Sequence, residues 1–396
     1  MAAGPPGALT RLTLPDALPA GVDSLPVVMQ WRAGTVEREL QRWSGAAVFV
    51  VRLEPAAGSA TSQDTVKALA YTALVGDPHP GDRVLLNASA LLRGLGTGGL
   101  AFVVAVPDRL PPDPRPRAGH IVKARYTPQQ QMFLAVDEQD SPHHAVLAAA
   151  DDLGGVPVVV ADLHSALPAV IAGVRAEQPG ARVVYVMTDG GALPAAFSRT
   201  VSTLRGAHWL TGTITVGQAF GGDLEAVTVH SGLLAAVNVL KADVVVVAQG
   251  PGNVGTGTTW GFTGVAAGEA LNAAHVLGGR PIASLRVSEG DARPRHRGIS
   301  HHSRTAYGRV ALVPATVPVP DLDGEIGDLV RRQARDLCDS TGGRLTAVDV
   351  PTGGLDEALR SSPVRLSTMG RGLDEDRAAF VAAAAAGRYA VGWAQQ

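Results

Sequence analysis

Asp162 and His164 stand two residues apart in Asp162-Leu163-His164-Ser165, immediately after the apolar run Val156–Ala161. A carboxylate and an imidazole can serve as general base and general acid when a substrate lies between them. Asp189, in Thr188-Asp189-Gly190-Gly191, follows the apolar run Arg182–Met187 in the same way, and Asp223 ends the polar stretch after Thr213–Val216. Another such stretch is Ser288-Glu289-Gly290-Asp291. Asp162, His164, Asp189, Asp223 and His230 offer hard oxygen and imidazole ligands, and a metal site is conceivable if they converge at one edge of a sheet. His230, alone in a helix-like run, reads more simply as a structural or exposed residue.

Residues 248–264, AQGPGNVGTGTTWGFTG, carry a literal G-x-G-x-x-G from Gly250 to Gly255 between a strand-like and a helix-like run. A dinucleotide site calls for an acidic residue about 20 positions on, at the end of the next strand. Here the next run ends at Glu289, well beyond that, and Pro251 removes a backbone donor inside the turn. No Lys-[Ser/Thr] follows the glycines, which excludes a Walker A loop. The expectation is an anion or ligand cradle in which Gly252, Asn253, Gly255, Thr256 and Gly257 present backbone donors at a helix N-terminus. Close loop packing without a ligand is the alternative.

The stretch Asp291–Arg309 holds Arg293, Arg295, Arg297, Arg304 and Arg309 with His296, His301 and His302. Guanidinium forks suit phosphate or carboxylate, and so long an excursion between regular elements is more often functional than filler. Arg297, His301, His302 and Arg304 are therefore expected to bind ligand. A solvated basic loop, or a subunit contact in a homo-oligomer, is the competing reading. Ser300-His-His-Ser lacks the spacing of a metal motif. No Gly-x-Ser-x-Gly elbow is present, and Cys338 sits in a helix-like run, so nucleophilic catalysis has weak support.

The elements that must position these groups follow from composition and pattern. A chain of 396 residues is long for one core and suggests two domains. Hydrophobic residues make up 46% but aromatics only 4%, so the core must be built from Val, Leu and Ala, as suits a buried parallel sheet. From Val156 onward, strand-like runs (Val156–Ala161, Arg182–Met187, Thr213–Val216, Asp243–Ala248, Pro281–Val287) alternate with helix-length runs (Ala166–Ala176, Ala195–Leu204, Leu224–Leu240, Val265–Leu277). Val310–Val313, Glu325–Asp339, Leu345–Val350, Leu355–Arg360 and Asp374–Ala386 continue the pattern. The fold class is α/β: a mostly parallel, doubly wound sheet preceded by a small antiparallel barrel of the OB or SH3-like kind. The expected divisions are a flexible extension over 1–26, the barrel over 27–106, a proline-rich linker over 107–118, and an α/β domain over 119–396 with its ligand cleft at the carboxyl edge of the sheet.

A net charge of −2 gives no pull toward nucleic acid or anionic membrane. A single cysteine excludes an intrachain disulfide framework. With no signal-peptide pattern and no apolar run of membrane length, the expectation is a cytoplasmic protein.

Thr188–Thr200 (TDGGALPAAFSRT), Thr215–Val227 (TVGQAFGGDLEAV), the glycine-rich stretch, Arg297–Ser303 (RGISHHS) and Gly81–Asn87 (GDRVLLN) resemble a bacterial family of actinobacteria and Firmicutes. That family is catalogued as domain of unknown function 3866, and the similarity covers Val28 to the end of the chain. The resemblance implies no activity, cofactor or catalytic residue. The residues themselves lead to an α/β enzyme acting on a small anionic or phosphorylated ligand, with Asp162, His164 and Asp189 catalytic and Asp223 among the ligand-binding groups. A non-catalytic metabolite-binding or regulatory protein is the alternative. A nucleic-acid binder acting through the barrel is weaker, since residues 27–106 lack aromatic platforms and basic stripes.

Overall fold

The computed structural model describes residues 29–55, 65–95, 98–191 and 193–392. The extension read over residues 1–26 lies outside them. Strands β1 (Trp31–Trp43), β2 (Ala46–Leu53), β3 (Thr65–Tyr71), β4 (Arg83–Asn87) and β5 (Ala101–Ala105) close a barrel in the order β1-β2-β3-β5-β4. Short helices α1 (Thr72–Val75) and α2 (Ser89–Leu92) lie between its later strands. Neighbours pair antiparallel except β3 and β5, which run parallel. Phe49, Val51, Val84 and Leu86 alternate inward to fill the barrel, as the period of two in a strand requires. The strand that patterning does not reveal is β1. Its charged run Glu37-Arg38-Glu39 faces solvent, and two bulges break its register with β2.

Residues 107–118 form no helix or strand. Beyond them, hairpin β6 (Ile121–Lys123) and β7 (Gln131–Phe133) and helix α3 (His144–Ala148) precede the main sheet. Lys123 is fully buried. Its ammonium donates to Thr215 O, Ala219 O and Glu225 Oε2, pinning the hairpin to the sheet edge.

The sheet itself follows as β8 (Pro157–Val160), α4 (Leu167–Glu177), β9 (Val183–Thr188), α5 (Arg199–Gly206), β10 (Gly212–Thr215), β11 (Leu224–Glu225), α6 (Val229–Asn238), β12 (Val244–Gln249), α7 (Ala266–Val276) and β13 (Arg280–Ala283). The chain then makes a small ladder, β14 (Val287–Ser288) with β15 (Gly298–Ile299), and α8 (His301–Thr305), which runs into a π turn over Ala306–Val310. β16 (Ala315–Pro320), α9 (Gly324–Asp339), β17 (Leu345–Val350), α10 (Leu355–Arg360), the hairpin β18 (Ser367–Thr368) and β19 (Arg371–Gly372), and α11 (Arg377–Gly392) complete it. The eight strands are all parallel, in the order β11-β10-β9-β12-β8-β13-β16-β17.

The central strands carry continuous valines, Val158–Val160 and Val244–Val247, buried on both faces, which is the composition a covered parallel sheet demands. Each fully buried valine or leucine stabilises the fold by about 1.5–3 kcal/mol relative to an exposed one. Helices α4, α10 and α11 pack together, with α11 lying on β8, β13 and β16. Helix α7 also lies on β8 and β12, but it packs with α6 and the π turn. The α4–α11 crossing depends on two glycines. A Cβ on Gly173 would fall 1.8 Å from Ala384 O, and one on Gly387 would fall 1.9 Å from Val170 O.

Three expected elements differ. Leu224 and Glu225 form strand β11 rather than the start of a helix, because the chain doubles back after β10 and pairs with Ile214 and Thr215. Val310–Val313 is no strand: the π turn ends there, and the next sheet strand starts at Ala315. Pro281–Val287 is broken after Ala283, since Ser284–Arg286 leave the sheet before β14. No helix among the described residues is long and apolar enough to cross a membrane.

Candidate functional site

Helices α4 and α7 follow the adjacent strands β8 and β12 and join different helix layers. In an open α/β sheet, such a reversal opens a crevice beyond the strand carboxyl ends where ligands bind. Two buried tyrosines order that edge. Tyr185 on β9 donates its hydroxyl to the carbonyls of Ala248 and Gln249, and Tyr307 in the π turn donates to those of Val160 and Ser284. Gln249, the last residue of β12, donates from Nε2 to Asp162 O at 2.8 Å and to Asn253 Oδ1 at 2.9 Å.

Asp162 follows β8 by two residues and is buried. Its Oδ2 has no hydrogen-bond partner among the described residues. It lies 3.6 Å from Arg286 Nη1 and 3.7 Å from His302 Nδ1. Arg286, with its side chain only 10% exposed, donates from Nη1 to His302 Nδ1 at 2.9 Å. An unsatisfied buried acceptor costs about 1–3 kcal/mol, so a fold that keeps one has a use for it or spends stability on it. Ser284 Oγ is likewise buried without a partner. Both residues line a cavity of about 30 Å³, together with Ser165, Arg286, Thr368 and Arg371. That space admits a group the size of about one or two waters. The β18–β19 hairpin forms one wall, tied to the loop after β8 by a 3.0 Å contact between Ser165 Oγ and Thr368 Oγ1.

The Arg/His-rich excursion folds back onto this point. After Pro294 starts a single helical turn, Gly298 takes φ +69°, a left-handed value that favours glycine, and lets β15 pair with β14. Ser300 then caps α8, its Oγ accepting from His302 N. Arg286 N donates to Ser303 Oγ and Ser300 N to Arg286 O, locking the two segments together. The turn brings His296, His301 and His302 into one cluster, with ring centroids 4.4–5.1 Å apart. His296 Nδ1 meets Ser300 Oγ at 2.8 Å, and the ring of Phe262 stacks on His302. Burial first, then the charge of Arg286 and Arg293, pushes His296 down to about 3. Burial, then His302 and the nearby arginines, pushes His301 down to about 4. Both rings are neutral at pH 7.

The other expected site residues disperse. His164 turns away from Asp162: its Nε2 lies 2.7 Å from Ser198 Oγ and its Nδ1 3.1 Å from Tyr185 OH. Burial pushes it down to about 4. The two therefore do not flank one substrate as an acid–base pair. Asp189, exposed after β9, accepts from the backbone of Gly191 and Gln218. Asp223 is not at the carboxyl edge. The return of the chain into β11 sets it beside Thr213, whose N and Oγ1 it accepts from, in an ion pair with Arg205. His230 is exposed on α6. The conceived metal set of Asp162, His164, Asp189, Asp223 and His230 thus does not assemble.

The glycine-rich loop closes on itself. Thr256 N donates to Gly261 O, Thr263 N to Val254 O, Val254 N to Thr263 Oγ1 and Gly261 N to Thr258 Oγ1. Asn253 Oδ1 accepts from Thr263 Oγ1 and Gly264 N and so holds the entrance to α7. Gly252, Gly255, Thr256 and Gly257 are exposed. Of the expected backbone donors, Thr256 N is engaged within the loop, and the loop's inward contribution is Phe262. Arg297 and Arg304 are also exposed; the arginines that line the cavity are Arg286 and Arg371.

Sequence reasoning missed Arg286, Gln249, Ser284 and the central place of His296. Arg286 was concealed by reading 281–287 as one strand. The break is signalled only by Ser284 and by Arg286 itself, the two polar residues in the run Pro281–Val287. The carboxylates of 288–291 also have structural work. Asp291 pairs with Arg293 and Arg371, and Glu289 accepts from Ala378 N at the start of α11.

A family model described as "Protein of unknown function (DUF3866)" matches residues 67–387, from within β3 into α11. No curated protein matches the chain.

Proposed function

The chain belongs to the DUF3866 family, whose description assigns no activity, and on its geometry we propose that it is an α/β enzyme acting on a small anionic or phosphorylated ligand in the crevice beyond β8 and β12. The observation that carries this reading is the buried Asp162 Oδ2, which faces a polar cavity without a hydrogen-bond partner beside Arg286 and His302. Arg286 supplies charge complementarity for a phosphate or carboxylate. Asp162 accepts a proton or a hydrogen bond from the bound group, and His302 Nδ1, accepting from Arg286, holds the guanidinium beside it. The cavity is too small for a metabolite as it stands, so the ligand enters by displacing the β18–β19 hairpin. Glycine-rich residues 252–257 form an outer rim in this reading rather than the primary anion contact.

The test is thermal-shift screening of the full chain against inorganic phosphate, small carboxylates and sugar phosphates, followed by NMR of any stabilising compound over long incubation. Stabilisation that Asp162→Asn and Arg286→Gln both abolish supports the site. A wild-type response that survives in both variants removes it. Tight binding without turnover makes the protein a sensor rather than an enzyme.

A further inference from the structure

We propose that His296, His301 and His302 form a binding site for a divalent first-row transition-metal ion of the zinc, cobalt or nickel class, with a coordination position left open. One ring nitrogen from each of the three lies within 4.8 Å of the others. His301 Nε2 is buried and has no hydrogen-bond partner among the described residues. An imidazole nitrogen in that state is a lone pair or an N–H taken from water with nothing in return, and coordination resolves it. His296 engages Ser300 Oγ through Nδ1, which fixes the ring and leaves Nε2 for an ion. A hydrogen bond on the far nitrogen is the usual companion of a ligating histidine.

His302 completes the set. Phe262 lies on one face of its ring, and its Nδ1 lies 3.7 Å from the unpartnered Asp162 Oδ2. Coordination through Nε2 places a proton on Nδ1. That nitrogen then stops accepting from Arg286 and donates toward Asp162, making the carboxylate–histidine–metal arrangement that raises ligand basicity. Imidazole–metal distances are about 2.0–2.1 Å, so the nitrogens close by roughly 1 Å through ring rotation. Three imidazoles select zinc, cobalt, nickel or copper over magnesium or calcium, which demand oxygen ligands. Three protein ligands with an open position are the pattern of catalytic rather than structural zinc. Arg286, Arg293 and Arg295 add positive charge nearby, partly offset by Asp162 and Asp291. The ion is therefore held more tightly when an anion occupies its open position. The site shares His302 with the proposed anion crevice but does not depend on that ligand.

The test uses the full chain, stripped with a chelator, desalted into phosphate-free buffer and titrated with Co²⁺ alone. Visible d–d absorption reports the coordination geometry, and Zn²⁺ is added as the competitor. The expected result is one ion per chain, an absorption spectrum with histidine ligation, and displacement by Zn²⁺. His296→Gln and His301→Gln should each weaken binding by about tenfold or more, whereas His230→Gln, on exposed α6, should not. Circular dichroism checks that the variants fold. If wild type binds no Co²⁺ or Zn²⁺, or binds them as well after both replacements, the proposal is overturned; the wild-type titration decides even if a variant misfolds. Because phosphate is absent from the titration, a failure here leaves the anion screen to stand or fall by itself.

Discussion

The ring of Phe262 lies flat on the imidazole of His302, with centroids 3.8 Å apart and planes within 3° of parallel. Phe262 lies near the end of the glycine-rich loop and His302 in the first turn of α8, so the two polar stretches that attract notice in the sequence meet in one stacked pair. Phe262 is 5% exposed. Phe262→Ala should cost about 3 kcal/mol in urea unfolding, at the low end for a buried phenylalanine. It should also weaken Co²⁺ binding by freeing His302. Phe262→Leu should recover most of the stability but not the binding. Equal Co²⁺ affinity in wild type and both variants would show that the stack does not orient His302.

Gly387→Ala sets two effects against each other. Alanine gains about 1 kcal/mol in helix propensity over glycine, but its Cβ would overlap the Val170 carbonyl at 1.9 Å. Backbone cannot yield as a side-chain tip can, and overpacking of this kind costs about 1–3 kcal/mol or more. We expect a net loss of about 1–2 kcal/mol or more in guanidinium unfolding, toward the upper end of the overpacking cost less the helix gain, and the same for Gly173→Ala. An unchanged midpoint would mean that the helices separate freely.

His164 gives a pH dependence with a definite sign. Its folded value is depressed from 6.5 to about 4 by burial, so between those values the unfolded chain binds the extra proton. Its contribution to stability is complete above pH 6.5 and is lost as pH falls toward 4, by up to about 1.4 kcal/mol per unit. His296 and His301 slope in the same direction, so the informative quantity is the difference between wild type and His164→Gln. That difference should be constant above pH 6.5 and move in the variant's favour below it. A difference independent of pH from 7.5 to 4.5 would contradict the depressed value.

Lys123 and Glu225 form a buried ion pair at 2.8 Å. Burial pushes the lysine down and the glutamate up, while their mutual attraction opposes both shifts. Lys123→Met leaves Glu225 buried without its cation and should cost about 3–5 kcal/mol. Adding Glu225→Gln removes the stranded charge and should recover part of that loss in denaturant unfolding. If the double variant is less stable than Lys123→Met alone, the remaining contacts of Glu225, from Thr215 Oγ1 and Gly221 N, matter more than the charge pair.

The parallel sheet was legible because its strands are buried on both faces, and the valine runs at 158–160 and 244–247 have almost no other use. The barrel was legible from its alternating strands, apart from β1, whose exposed charges hide it. The site was read in part. Asp162 and His302 were found as polar residues in loops, but their pairing through Arg286 needed the chain to break after Ala283 and return through Gly298. Asp223 misled because a loop that doubles back looks in sequence like one that stays at the edge. Spacing alone did not bring out the histidine cluster: His301 and His302 are adjacent and the third ring comes from a separate turn, a grouping that cap geometry creates.

The reciprocal glycines of α4 and α11 also bear on how the chain is made. Helix α4 is laid down right after the first strand of the sheet, yet the surface that covers it is the last helix described. Until α11 exists, α4 has α10 beside it, but its face at Val170 and Gly173 lacks the helix that covers it. A layout dominated by such distant pairings folds slowly and leaves intermediates open to misassembly. Helix α11 is therefore the element whose synthesis completes the cover of α4.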